Sequence, residues 1–121
     1  MLFWRARVAI TRSRCVFRRM ILVLCAAPNL KIAKKIACGL VERKLAACVS
    51  FHQGWISIYW WKGAVEQAAE VLVLIKTKKR LFSKVKKIIQ SIHPYEVPEI
   101  VGIPIIRASA EYLGWMNKTL K

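Results

Sequence analysis

The chain contains no aspartate and only six glutamates, against 22 lysines and arginines, so its formal charge is +16 over 121 residues. That shortage leaves little material for acid–base chemistry. Glu96 and Glu99 stand three apart in an extended segment, point to opposite sides and form no catalytic pair. There is no glycine-rich phosphate loop, no H-E-x-x-H and no nucleophile elbow. The four cysteines, Cys15, Cys25, Cys38 and Cys48, make no C-x-x-C pair and no zinc-type spacing. This argues against a disulfide framework and for a reducing compartment. Cys38 and Cys48 lie among apolar residues, where a free thiol is expected to pack as a small buried hydrophobe. No apolar run approaches the ~20 residues of a membrane-spanning helix. A single non-enzymatic domain is the expectation.

The positive charge favours polyanionic partners but carries no information about fold. Its densest patch is Lys76, Lys78, Lys79, Arg80, Lys84, Lys86 and Lys87. Solvated helix faces account for it, since no RNP, KH or helix-turn-helix signature accompanies it. The alternative is a basic scaffold that binds nucleic acid or an anionic surface through residues 1–19 and 76–87. Residues 1–19 hold Arg5, Arg7, Arg12, Arg14, Arg18 and Arg19 and no acid. They read as a basic extension: an arm, a transit-like segment or a stretch upstream of a start at Met20. The domain spans residues 20–121. The expected compartment is the cytoplasm, or the mitochondrion for a transit peptide.

Within the domain, residues 20–25 form a short apolar run followed by a turn, with Asn29 placed to cap a helix. Apolar residues at 33, 36, 37, 40, 41 and 45 have helical spacing and predict a helix over 30–45. Gly39 inside it marks a close approach to the sheet. A strand over 47–52 breaks at Gln53-Gly54, an aromatic strand follows over 55–61, and Lys62-Gly63 turns the chain. The returning arm covers 64–69 and an apolar strand 70–77. Leu81, Val85, Ile88, Ile89 and Ile92 trace a second helix, 99–106 a last strand, and Ser109 caps a final helix. The order gives an α+β, ferredoxin-like split βαβ sandwich: an antiparallel sheet with helices on one face. Tyr59 and Trp61 share one face of their strand and Trp60 the other, and this aromatic run is expected at a subunit interface.

The segment His93-Pro94-Tyr95-Glu96-Val97-Pro98-Glu99-Ile100 is the most specific motif. Each proline biases the preceding residue toward extended backbone, so the segment holds its polar groups stiffly at the mouth of a strand. Together with Leu45-Ala46-Ala47-Cys48-Val49, Ser57-Ile58-Tyr59-Trp60-Trp61-Lys62-Gly63 and Tyr112-Leu113-x-Trp115, in that spacing, it resembles the CutA divalent-cation-tolerance proteins over about 20–118. The resemblance implies a homotrimer of PII-like architecture and a non-catalytic role in metal homeostasis or signalling. It implies copper above other divalent cations, with Cys25, His93 and Glu99 as the metal-associated positions. Cys25 supplies soft sulfur suited to Cu(I), and His93 and Glu99 supply imidazole and carboxylate suited to Cu(II). By the PII likeness, Trp61, Lys76, Tyr95 and Glu99 line an inter-subunit cleft for a small anionic ligand. The chain departs from the family pattern at Ala26, Leu30, His52-Gln53 and Ala68-Ala69, and in its strong basicity.

Overall fold

The computed structural model describes residues 19–121, so almost all of the basic extension lies outside the described residues. The elements follow in the order β1 (Met20–Ala27), α1 (Leu30–Glu42), β2 (Cys48–Trp61), β3 (Ala64–Lys78), a 3₁₀ turn (Lys79–Leu81), α2 (Phe82–Ile92), β4 (Val101–Pro104) and α3 (Ala110–Thr119). The sheet order is β2-β3-β1-β4 and every pair is antiparallel. This is the split βαβ arrangement: β3 lies between β1 and β2, and α1 makes the crossover.

Alternation along the strands decides which side of the sheet is buried. On β1, Ile21, Val23, Cys25 and Ala27 join Val71, Val73 and Ile75 of β3 in a core closed by Ala33, Ile36 and Leu40 of α1 and Val85 and Ile89 of α2. The opposite side carries Leu22, Leu24, Leu72 and Leu74, half-buried, with Val101 and Ile103 exposed. Tyr112 of α3 reaches this side at Lys76, while Leu113 and Met116 of the same helix join the core.

Capping follows the expected chemistry. Asn29 accepts from the Ile32 amide at 2.9 Å and Ser109 from the Tyr112 amide at 3.3 Å. Helix α1 ends three residues earlier than its apolar spacing predicts. Lys44 enters the left-handed region (φ 56), and the amides of Lys44 and Leu45 close back on Val41 and Leu40. That is a Schellman ending, which outweighs the apolar signal of Leu45. Gly39 does not approach the sheet; a Cβ there would lie 3.6 Å from both Ile88 and Ile92, so it lets α1 and α2 pack closely. The last strand keeps only Val101–Pro104, shorter at both ends than expected.

The hairpin differs most from expectation. β2 and β3 are continuous, and Gln53-Gly54 is a bulge rather than a break, with Gly54 at φ 88. The two-residue turn Lys62-Gly63 has positive φ at both positions (48 and 81), which matches the right-handed twist of its strands. Neither face of the distal arm is covered by a helix: Trp60 is 75 % and Ile58 68 % exposed.

Thr77, fully buried, ties the sheet to the end of α1 by donating to the Leu45 carbonyl at 2.6 Å. Thr77→Val keeps the shape and leaves that carbonyl unpaired, so it should lower stability by about 1–3 kcal/mol. Urea unfolding that returns an unchanged midpoint would contradict this role.

Candidate functional site

β4 covers the edge of β1 only from Ile21 to Leu24, so the Ala26 carbonyl lies beyond its ladder. His93, the residue that ends α2, fills the place: its Nε2 lies 2.7 Å from the Ala26 carbonyl oxygen. A carbonyl can only accept, so Nε2 carries the proton and donates. Nδ1 then accepts from the Tyr95 amide at 3.2 Å. The ring is therefore the neutral Nε2–H tautomer with both nitrogens engaged. Its face meets the Tyr95 ring edge-on at 4.6 Å. The helix-capping role belongs to the His93 backbone amide, which bonds the Ile89 carbonyl at 2.8 Å, and not to the ring.

Anchored this way, the loop 94–99 closes one side of a cleft of about 750 Å³. The floor and far wall come from the sheet through the bulge at Gly54. Before the bulge, Phe51 and Gln53 pair with core-facing Val73 and Val71. After it, Trp55 pairs with Glu70, Ser57 with Ala68 and Tyr59 with Glu66. The extra residue reverses the parity of β2, so Trp55, Ser57, Tyr59 and Trp61 turn to the side that Glu70 and Ala26 occupy. Tyr95, Glu96, Val97 and Glu99 face them from the loop. Glu70 is 7 % exposed. The Tyr95 hydroxyl holds its proton above the usual range, first through burial and then through the Glu70 charge. No lysine or arginine lines the cleft.

Residues 21–119 match the family model described as CutA1 divalent ion tolerance protein. The chain belongs to the CutA1 family. It is 45 % identical over 96 residues to the divalent-cation tolerance protein CutA of Thermus thermophilus, covering 79 % of this chain and 93 % of that protein. It is 43 % identical over 91 residues to mouse Protein CutA, covering 75 % of this chain and 51 % of that one. The chain thus spans most of the bacterial relative and about half of the mammalian one. The solved Thermus thermophilus structure superposes with a TM-score of 0.82 at 42 % identity, covering 84 % of this chain and 99 % of that chain. CutA1 from Oryza sativa gives 0.83 at 34 % identity, with 88 % and 97 % covered. The ferredoxin-like fold is therefore the family's fold.

The fold brings the three positions expected to associate with metal, Cys25, His93 and Glu99, to one end of β1 but does not make them a ready ligand set. Cys25 is fully buried on the core side. Its thiol is pushed up to about 12 by burial, then by Glu99 and Glu70, so it stays protonated. His93 has no free lone pair, and Glu99 stands exposed in the cleft wall. Among the described residues no three histidine, cysteine or carboxylate side chains could hold a metal ion together. The copper chemistry expected of this trio does not fit a single chain.

Of the cleft residues expected from sequence, Trp61 and Tyr95 are in the lining and Lys76 is not. The Lys76 ammonium donates to the Tyr112 hydroxyl at 3.2 Å and sits 5.1 Å over that ring. Lys76 stands six positions along β3 from Glu70, about 20 Å of strand. The wall is consequently acidic, contrary to the expectation of an anionic ligand. Sequence reasoning passed over Glu70 and Trp55, because the parity change at Gly54 decides their placement. Cys38 is exposed on α1 rather than buried.

The two thiols therefore behave oppositely. Alkylation of the folded protein at pH 8, mapped by mass spectrometry, should label Cys38 readily and Cys25 only after unfolding. Equal labelling of both in the folded protein would contradict the burial of Cys25.

Proposed function

We propose that this chain acts as a homotrimeric, non-catalytic cation-binding protein whose ligand site is the acidic cleft at the end of β1. The observation that carries this reading is the placement of Glu70, Glu96 and Glu99. Half of the six carboxylates of a chain with net charge +16 line one cleft whose lining holds no lysine or arginine, and only Glu96, at the rim, pairs with a lysine, Lys62. An acidic pocket in a basic body lowers the potential locally and selects cations over the anions the rest of the surface attracts.

The trimer reading rests on exposed apolar surface. Trp55, Ile56, Ile58, Tyr59, Trp60 and Val65 on the hairpin, with Val101 and Ile103 on the uncovered sheet side, exceed what a stable monomer usually leaves in water. Assembly would bury Tyr59, Trp60 and Trp61 and close the cleft with a second subunit. The divalent-cation tolerance in the relatives' names supports a role in metal homeostasis, and signalling is proposed beside it. Copper is the first metal to test. In the cleft it would meet carboxylate oxygens, not the sulfur and imidazole of Cys25 and His93. The cytoplasm is the proposed compartment; relatives named chloroplastic occur in Oryza sativa and Arabidopsis thaliana. Among the described residues no helix is long and apolar enough to cross a membrane.

A second reading has its own observation. Lys31, Lys34 and Lys35 of α1 and Lys84, Lys86 and Lys87 of α2 are all exposed. A polyanion bound there would be released steeply by salt.

Light scattering after gel filtration at physiological salt should give a three-chain mass, and a monomer would contradict the assembly. In the trimer, Glu70→Gln and Glu99→Gln should each weaken Cu(II) or Zn(II) binding about tenfold, a change of about 1.4 kcal/mol, in calorimetric titration. Cys25→Ser should leave it nearly unchanged. The reverse ranking would return the site to sulfur.

A further inference from the structure

We infer that the cleft takes an organic cation, a protonated amine or quaternary ammonium group, held between aromatic rings and the Glu70 carboxylate. The inference rests on the cleft being the cation site of the assembled protein, and it names the class of cation.

Glu70 is the first reason. It is more than nine-tenths buried and turned into the cleft by its place on β3 opposite Trp55. Among the described residues it has no cationic partner; the one ion pair there is Lys62 with Glu96, 3.9 Å apart and largely exposed. Tyr95, which lines the same cleft, is neutral and leaves the Glu70 charge uncompensated. A cation in the cleft would face a largely buried carboxylate that no basic side chain of the described residues neutralises.

The second reason is the spread of the acidic groups. A bare divalent ion requires several oxygens converging at about 2.0–2.6 Å. Glu70, Glu96 and Glu99 line the same cleft, yet no three such groups among the described residues could meet on one ion. Separated carboxylates hold a bare metal ion only through one or two oxygens and better suit a larger cation whose charge is spread over several carbon and hydrogen atoms.

Aromatic walls supply the third. Trp55, Tyr59 and Trp61 share the Glu70 side of the sheet, and Tyr95 faces them from the loop. Residues two apart on a strand stand about 7 Å apart, and an ammonium is attracted to a ring within about 6 Å of its centroid. The chain already makes this arrangement once, at the rim. The Lys62 ammonium lies 5.6 Å from the centre of the Trp61 ring while pairing with Glu96. An alkylammonium deeper in the cleft would repeat the pattern with Glu70 in place of Glu96. At about 750 Å³ the space falls within the usual range for small-molecule sites.

The test uses the full-length assembled protein and tetramethylammonium, n-butylammonium, tert-butanol as the uncharged counterpart, and Zn(II). Calorimetry and tryptophan fluorescence should show saturable binding of both organic cations and none of tert-butanol. Glu70→Gln and Tyr59→Leu, each checked for trimer mass and circular dichroism, should weaken binding at least about tenfold, or about 1.4 kcal/mol. Glu111→Gln, on the distant third helix, should leave it unchanged. Binding of Zn(II) alone, lost in Glu70→Gln, would overturn the organic-cation assignment and keep the cleft as a cation site. Equal binding of tert-butanol would make the cleft a merely apolar pocket and overturn both. No binding of any probe by the trimer would also overturn both, as when a basic side chain of a second copy already neutralises Glu70.

Discussion

The hydrogen bond from His93 to the Ala26 carbonyl fixes where the rest of the site can be. β4 stops short of the end of β1 and leaves a strand carbonyl that must find a donor. The imidazole provides it across 67 residues of sequence, and its other nitrogen receives the Tyr95 amide. One neutral ring thereby joins the central strand, the end of α2 and the loop that carries Tyr95, Glu96 and Glu99. The same engagement removes the ring from the list of ready metal ligands. A histidine in an acidic, aromatic motif looks like a ligand from sequence, and in this fold it is a clasp.

The second constraint is a single residue in β2. Gly54, in the left-handed region, inserts a bulge that inverts the strand's parity. Without it, Trp55, Tyr59 and Trp61 would continue on the side of Phe51, toward the helices. With it, they join Glu70 on the uncovered side and become cleft wall and candidate interface at once. A core-facing strand and a cleft-facing strand are thus made from one continuous hairpin.

The fold class was legible because its signals are periodic. The helical spacing of α1 and α2, the caps Asn29 and Ser109 and the Lys62-Gly63 turn each carry a local physical cause, and all are present in the structure. The family was legible from its motifs. The site was legible only in part. Tyr95, Glu96 and Glu99 are adjacent in sequence and stiffened by prolines, so their shared placement could be read. Glu70 could not be, because its partners are set by register across a bulge. Lys76 lies outside this cleft for the same reason: a position on a strand does not say which end of the sheet the cleft occupies. Cys25 was judged by residue type, and its burial among core side chains is a tertiary fact.

These features fit together as a division of labour. His93 and Gly54 build the cleft, Glu70 gives it charge, and the aromatic rings give it shape, while the cationic helix faces keep the body apart from it. The cleft therefore depends on His93 being an anchor rather than a ligand. Long-range proton–nitrogen correlation spectra of the His93 ring, before and after saturation with the cation that binds, test this most directly. A neutral ring protonated at Nε2 that stays so in the bound state is the predicted result. A ring protonated at Nδ1, or one whose Nε2 proton is displaced by a metal, would contradict it and return His93 to the ligand set.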